Sequence, residues 1–304
     1  MGPMVTLHDS ALGRWADHVW TPDESDVLDG VVEHVRYCEG SVAAQRERVL
    51  PSGAVDIVLH LTEPVRCVGR DGQVNTLPRM AVAGLRSAPL ELQAASTAAA
   101  GVSIRLRPEG ARALFGVPMS HLASRVEDLR DVIGTSADEV IERCADASGA
   151  SDRISAAAEW LRRRLTCGVG VPAEVVGAIG EIVRSRGAVS IGGLRERTGW
   201  SKPRFVAAFR EHVGMSPKGY ARVVRFRRTL ALLGQPARPG AGSFLSSVAL
   251  VAGFADQAHM NADFRAFAGV TPGEFLSSAR DPRTVSIAVH RSSIDTTVSS
   301  ELRG

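Results

Sequence analysis

The chain is poor in cysteine, and its cysteines form no arrangement that carries chemistry by itself. Cys38, Cys67, Cys144 and Cys167 are scattered, with no C-x-x-C pair and no histidine at zinc-ligand spacing. This pattern excludes the common zinc motifs and reads as reduced, mostly buried thiols of a cytosolic protein; a thiol-based sensor stays open as an alternative. The eight histidines are equally dispersed and H-E-x-x-H is absent, so no metal site is expected. The apolar runs are all short, for example VDIVLHL at 55–61 and LSSVALVAGF at 245–254, well under the ~20 residues that span a bilayer. The N-terminal MGPMVTLHDS lacks the basic start and apolar run of a secretion signal. A cytoplasmic location with no membrane partner is therefore expected. G-x-S-x-G, a Gly-rich phosphate loop and a paired-carboxylate signature are also missing, so neither catalytic residues nor a cofactor are expected. The net charge is only +3, and the total by itself does not mark a nucleic-acid binder.

What is present is an ordinary globular profile over 304 residues, 44% hydrophobic and 23% charged, long enough for about two domains. Residues 1–35 hold Trp15 and Trp20 but little periodicity and read as an irregular lead-in. Residues 36–108 read as strand-rich. In Val55–Leu61 the odd positions are all apolar, which suits a half-buried strand, and Pro51-Ser52-Gly53 before it is a turn signal. Val65–Val68, Met80–Ala83, Leu90–Ala94 and Val102–Leu106 are further candidates, together suggesting a small barrel or sandwich.

Beyond Pro108 the pattern turns helical. Ala111–Phe115, Ser120–Ile133, Ser136–Cys144 and Asp152–Leu165 read as helices, the last with Asp152 as its N-cap and Arg162, Arg163 and Arg164 at its C-terminal end. Thr166–Val171 before Pro172 reads as a hinge, and 281–304 as a polar tail in which 284–289 could add a strand. The resulting expectation is an α+β protein. A strand-rich sensor or dimerisation domain with following helices occupies 1–150, a helical linker 151–172, an all-α domain of two helix-turn-helix units joined by a long helix 173–280, and the tail the rest.

The helical domain contains a repeat. In VSIGGLRERTGWSKPRFVAAFREHV at 189–213, Ser190 caps a helix from Ile191 to Thr198, Gly199 ends it, and Ser201 caps a second helix with Pro203 in its first turn. Ile191, Leu194, Phe205 and Phe209 would form the small core between them. In LSSVALVAGFADQAHMNADFRAF at 245–267, Leu245, Val248 and Ala249 give the first apolar face, Gly253-Phe254 the turn, and Asp256 the cap of a helix carrying Met260, Phe264 and Phe267 inward. Gly214-Met215-Ser216-Pro217 is echoed by Gly269-Val270-Thr271-Pro272, and Tyr220 by Phe275, a degenerate repeat of about 55 residues. Pro217–Leu233 between the units reads as the long helix. Two short helices around a glycine turn are the helix-turn-helix signature. Two such units about one turn of B-DNA apart (~34 Å) can enter successive major grooves.

On these residues, with Gly253–His259 and Phe264-Arg265, residues 173–280 resemble the DNA-binding domain of the AraC/XylS family of transcription regulators. The resemblance implies seven helices, control of transcription and duplex DNA as partner. RNA polymerase, a small-molecule effector and a second copy of the chain are partners that it leaves open. The N-terminal part is similar, more weakly and through Gly101–Gly116, to a strand-plus-helix domain of some regulators in this family.

The first unit and the long helix are basic. Arg184, Arg186, Arg195, Arg197, Lys202, Arg204, Arg210, Lys218, Arg222, Arg225, Arg227 and Arg228 share that stretch with only Glu196 and Glu211 as acids. A basic run is often only a solvated face; on a helix-turn-helix it favours phosphate contact, although some arginines, notably Arg225, are candidates for bracing the fold. The second unit has Arg265 but also Asp256, Asp263 and Glu274. The first unit is thus expected to anchor, and the second to discriminate or to meet polymerase. The family pattern puts base readers at Pro203, Val206 and Ala207, and at Gln257, Ala258, Asn261 and Ala262. Lys202, Arg204, Arg210, His259 and Arg265 complete the candidate DNA-binding set. Gln257 and Asn261 suit adenine, and Val206 and Ala207 thymine methyls. Many relatives carry Arg where Ala207 and Ala262 stand, which shifts specificity toward DNA shape. Asp256 is equally a helix cap, and His259 a packing or phosphate contact rather than a metal ligand.

The N-terminal half has three competing readings: an effector-binding or dimerising domain, a reactive-cysteine domain, and an enzyme domain. Asp56 and His60, four apart on one strand face, fit a buried hydrogen bond better than an active site.

Overall fold

The computed structural model describes residues 3–10, 13–42, 46–69, 71–165, 170–234, 244–278 and 286–288. Cys167, most of the expected hinge and residues 235–243, between the expected long helix and the second unit, lie outside them. The architecture is α+β, with strands first and helices after. The strands are β1 (Met4–Ser10), β2 (Gly13–Trp20), β3 (Val32–Val42), β4 (Arg46–Val49), β5 (Val55–His60), β6 (Arg66–Val68), β7 (Val74–Thr76), β8 (Met80–Ala83), β9 (Leu90–Gln93), β10 (Ala98–Leu106), β11 (Val126–Asp128) and β12 (Ser286–Ala288). Seven form an antiparallel sheet in the order β1-β2-β3-β10-β5-β8-β11. Five form a second sheet, β12-β4-β9-β6-β7, in which β12 runs parallel to β4.

Alternation sorts the large sheet's faces. Val55, Ile57 and Leu59 of β5 are buried with Val102, Ile104 and Leu106 of β10. Asp56 points to the other face and takes a salt bridge from Arg105, Nε to Oδ1 2.8 Å, so the carboxylate is spent on a buried guanidinium. The buried face is covered by helices. These are α1 (Pro108–Phe115), α2 (Leu129–Ile133), α3 (Ser136–Asp146) and α4 (Ala150–Leu165), the last packing on β3 and β10.

Four expectations are corrected here. The lead-in is instead the β1–β2 hairpin and the start of β3. It lacks periodicity because β1 is an edge strand whose Met4, Val5 and Leu7 are exposed, so neither face needed to be apolar. The interior strand β3 and the short strands β4 and β7 are also additions to the expected set. Ser120–Ile133 is not one helix; a 3-10 turn (Met119–His121) precedes β11 and α2. β11 pairs with β8 over only three residues, too few to show a period, and Asp128 then caps α2 by accepting from the Arg130 N–H at 2.9 Å. Asp152 is not a cap, because α4 starts two residues earlier; it accepts from the Ser148 hydroxyl at 3.1 Å.

The helical half comprises α5 (Ala173–Arg184), α6 (Ile191–Thr198), α7 (Lys202–Val213), α8 (Pro217–Leu233), α9 (Phe244–Val251), α10 (Gln257–Ala268) and α11 (Pro272–Ser278), seven helices among the described residues. The caps fall where the residue types put them. Ser190, Ser201, Ser216 and Asp256 each accept a backbone N–H, and Gly199 and Gly253 take the left-handed turns at φ +68° and +84°. The core under the large sheet continues without a break through Leu194, Phe205 and Phe209 of the first unit to Tyr220 and Ala221. A second core gathers Phe226 of α8 with Met260, Phe264 and Phe267 of the second unit and Leu50 from the strand-rich half.

Candidate nucleic-acid interface

The repeat is a geometric one. Residues of α7 have counterparts 55 positions on in α10, as Phe209 and Phe264 or Gly214 and Gly269 show. In both helices the aromatics turn inward, Phe205 and Phe209 in one and Phe264 and Phe267 in the other. The opposite face is bare. Lys202, Pro203, Arg204, Ala207 and Arg210 are exposed on α7, with Val206 half-buried. Ala258, His259, Ala262 and Arg265 are exposed on α10, with Gln257 and Asn261 half-buried. The spacing i, i+1, i+4, i+5, i+8 (Lys202, Pro203, Val206, Ala207, Arg210) recurs at Gln257, Ala258, Asn261, Ala262 and Arg265, so each set lies on one face of its helix. The candidate residues thus form two equivalent patches.

The patches differ in charge. Among the described residues, Lys202, Arg210 and Lys218 are exposed and form no ion pair. Arg204 lies with its guanidinium 4.5 Å from the Trp200 ring centroid, an arrangement that orients the cation without neutralising it. On α10, Arg265 stands 3.8 Å from Glu274. Glu274 is itself held in a capping box, accepting from the Thr271 N–H and hydroxyl at 2.7 and 2.8 Å.

Several arginines of the basic stretch are turned to structural use by acids from elsewhere in the fold. Arg222 grips Asp263 at 2.8 Å, Arg227 meets Glu33 at 3.6 Å, and Arg184 and Arg197 share Glu181. Counting acids along the segment alone therefore overstates its free charge. Arg225 braces the fold as expected, donating to the Gly187 carbonyl at 2.9 Å with its guanidinium over the Phe254 ring.

The polar reader candidates are not equally ready. The Ser246 hydroxyl donates to Gln257 Oε1 at 2.8 Å, which steadies the side chain. Asn261 Oδ1 is buried with no partner, so pairing with adenine needs a rotation of its amide. The Asp256 carboxylate accepts the His259 N–H at 2.7 Å. The His259 ring stands edge-on to Phe254 at 5.2 Å, and no group of three His, Cys, Asp or Glu able to hold a metal occurs among the described residues. Sequence reasoning missed the roles of Trp200 and Ser246. The first had a signal in the aromatic four residues before Arg204; the second had none, since it depends on the packing of α9 against α10.

Two family models match parts of the chain. The family described as a helix-turn-helix domain matches residues 194–278, and a domain of unknown function (DUF6597) matches residues 14–128. The uncharacterized HTH-type transcriptional regulator YbfI of Bacillus subtilis (strain 168) is 35% identical over 72 residues, 24% of this chain and 24% of that protein. The match thus spans about a quarter of that relative's length. The DNA-binding domain of AdpA, whose crystal structure is in complex with a target DNA, covers 37% of this chain and 99% of its own at 20% identity and a TM-score of 0.31. ToxT from Vibrio cholerae O395 covers 77% of this chain and 96% of its own at 11% identity and a TM-score of 0.40.

Proposed function

We propose that the chain, whose residues 194–278 match a helix-turn-helix domain, is an AraC-type transcription regulator that reads duplex DNA with the exposed faces of α7 and α10. The observation that carries this is the pair of equivalent patches, each largely exposed although the opposite face of its helix is used by the core. An exposed face set by the same spacing in two repeats is what two successive major grooves require. In this reading Lys202, Arg204 and Arg210 bind phosphates. Val206 and Ala207 meet thymine methyls, and Gln257 and Asn261 read adenine. The less basic second unit discriminates or meets polymerase.

The N-terminal half is the candidate effector-binding or dimerising part. Its support is position: it packs against both units, so whatever it binds can bias them. A thiol sensor is disfavoured for three of the cysteines. Burial pushes the thiols of Cys38 and Cys144 up to about 12 and about 11, and that of Cys67 upward as well, whereas a reactive thiol needs the opposite. No helix among the described residues is long and apolar enough to cross a membrane.

Selection from a random duplex pool tests the proposal. The full chain is the reagent, because Leu50 is packed into the second unit's core. One recurrent sequence with two half-sites about a helical turn apart supports the reading; enrichment of no sequence refutes it.

A further inference from the structure

We infer that Arg48, on the strand-rich half, positions the second recognition helix and so helps set which spacing of DNA half-sites the protein accepts. The inference rests on the DNA-binding reading above.

α10 is held from outside its own unit at two polar points. Near its middle, Asp263 is gripped by Arg222 of α8 at 2.8 Å. At its last residue, the Ala268 carbonyl accepts from Arg48 Nη1 at 3.3 Å. Carbonyls in the last turn of a helix have no partner within it, and a cation there also meets the negative end of the helix dipole. Arg48 does not reach across loosely. It is opposite Glu91 in the β4–β9 register, its Nη2 donates to Glu91 Oε1 at 2.7 Å, and only 17% of its side chain is exposed. One guanidinium thus spans a carboxylate of the N-terminal sheet and the end of a recognition helix, a task that needs two separated donors. Two residues on, Leu50 belongs to the same core as Phe226 and Phe264.

The first recognition helix is tied to the same half at a different place. The C-terminal part of α7 lies against α1 and the Met119–His121 turn. A Cβ added to its cap, Gly214, would stand 3.0 Å from the Met119 carbonyl, and Arg112 lies 3.6 Å from Glu211. Both recognition helices are therefore fastened by their C-terminal ends to one scaffold. A helix held at one polar point can pivot about it, and a second point fixes its direction. Because half-site spacing follows from the placement of recognition helices, loosening Arg48 frees that spacing without altering the reader faces.

The test compares the full-length wild type with Arg48→Ala and Arg48→Lys on duplexes built from the selected site with one or two base pairs added to or removed from the spacer. The wild type should prefer its own spacer by about tenfold or more, the range expected for a misplaced contact. Arg48→Ala should bind all spacers within about threefold, with unchanged affinity for the isolated first half-site, and Arg48→Lys should fall between. Without DNA, hydrogen exchange in the 265–276 segment should be faster in Arg48→Ala than in the wild type. Should Arg48→Ala fail to fold, Glu91→Gln, which keeps the shape and weakens the grip, gives the same readouts in milder form. A spacer profile and exchange rate identical to the wild type overturn the inference. A wild type with no recurrent site overturns the DNA reading and the spacing claim with it; exchange then still reports whether Arg48 holds α10.

Discussion

Arg222 and Asp263 clasp the long helix to the second recognition helix: Nη2 lies 2.8 Å and Nε 3.2 Å from the carboxylate, and Asp263 is buried. An arginine in a basic helix near DNA invites a phosphate assignment, yet this one is used inside the fold. Removing it leaves a buried carboxylate without its cation. Arg222→Ala should therefore destabilise the protein by about 1–3 kcal/mol, and Asp263→Ala should cost little more once Arg222 is gone. Urea unfolding of the two single variants and the double variant measures this; additive losses would show that the pair does not interact.

Phosphate anchoring is predicted to be lopsided. Lys202→Ala or Arg204→Ala should weaken DNA binding and lower the slope of log affinity against log salt by roughly 0.9 for each phosphate that is no longer neutralised. Arg265→Ala, already opposite Glu274, should change both far less. Binding isotherms at several salt concentrations decide it, and equal effects in the three variants contradict the division of labour.

Acid should loosen the strand-rich half through His34. Burial, and then the neighbouring Arg105 guanidinium, lower its pKa from 6.5 to about 4. Between those values the unfolded chain binds a proton that the folded chain refuses. The contribution of this group to stability is therefore complete above pH 6.5 and falls progressively down to about pH 4, by up to about 3 kcal/mol. Unfolding midpoints across that range should fall less steeply for His34→Gln than for the wild type; parallel curves would remove His34 from the account.

How far the residues disclosed the molecule depended on whether a feature was local. Ser190, Gly199, Ser201 and Asp256 act on neighbours within a few positions, and the units they bound were readable one helix at a time. Val55–Leu61 was legible because one face is buried and apolar while the other is half-buried and carries Asp56 and His60. The β1–β2 hairpin was not, since β1 leaves Met4, Val5 and Leu7 exposed and so has no buried face to mark it, and β11 was hidden because three half-buried residues are too short a run to show a period. In the interface, the outward positions followed from helical spacing, but the partners did not. Nothing near Arg222 announces Asp263, 41 residues on, and nothing near Ala268 announces Arg48, 220 residues back.

The described cysteines are predicted to be slow nucleophiles. In a Cys167→Ala background, alkylating reagent near neutral pH should label Cys38, Cys67 and Cys144 only slowly in the folded protein and leave DNA affinity unchanged. Mass spectrometry of the labelled chain checks this. Rapid labelling that alters DNA binding would revive the thiol-sensor reading.

The most direct test of the central claim is the affinity of the full-length protein for its selected site against a scrambled duplex of equal length, measured across a range of salt. The account predicts a preference on the order of a thousandfold or more and affinity for both duplexes that falls steeply as salt rises. Equal affinity for the two would mean that α7 and α10 present charge without reading sequence, and no binding to either would contradict the assignment of these faces to DNA.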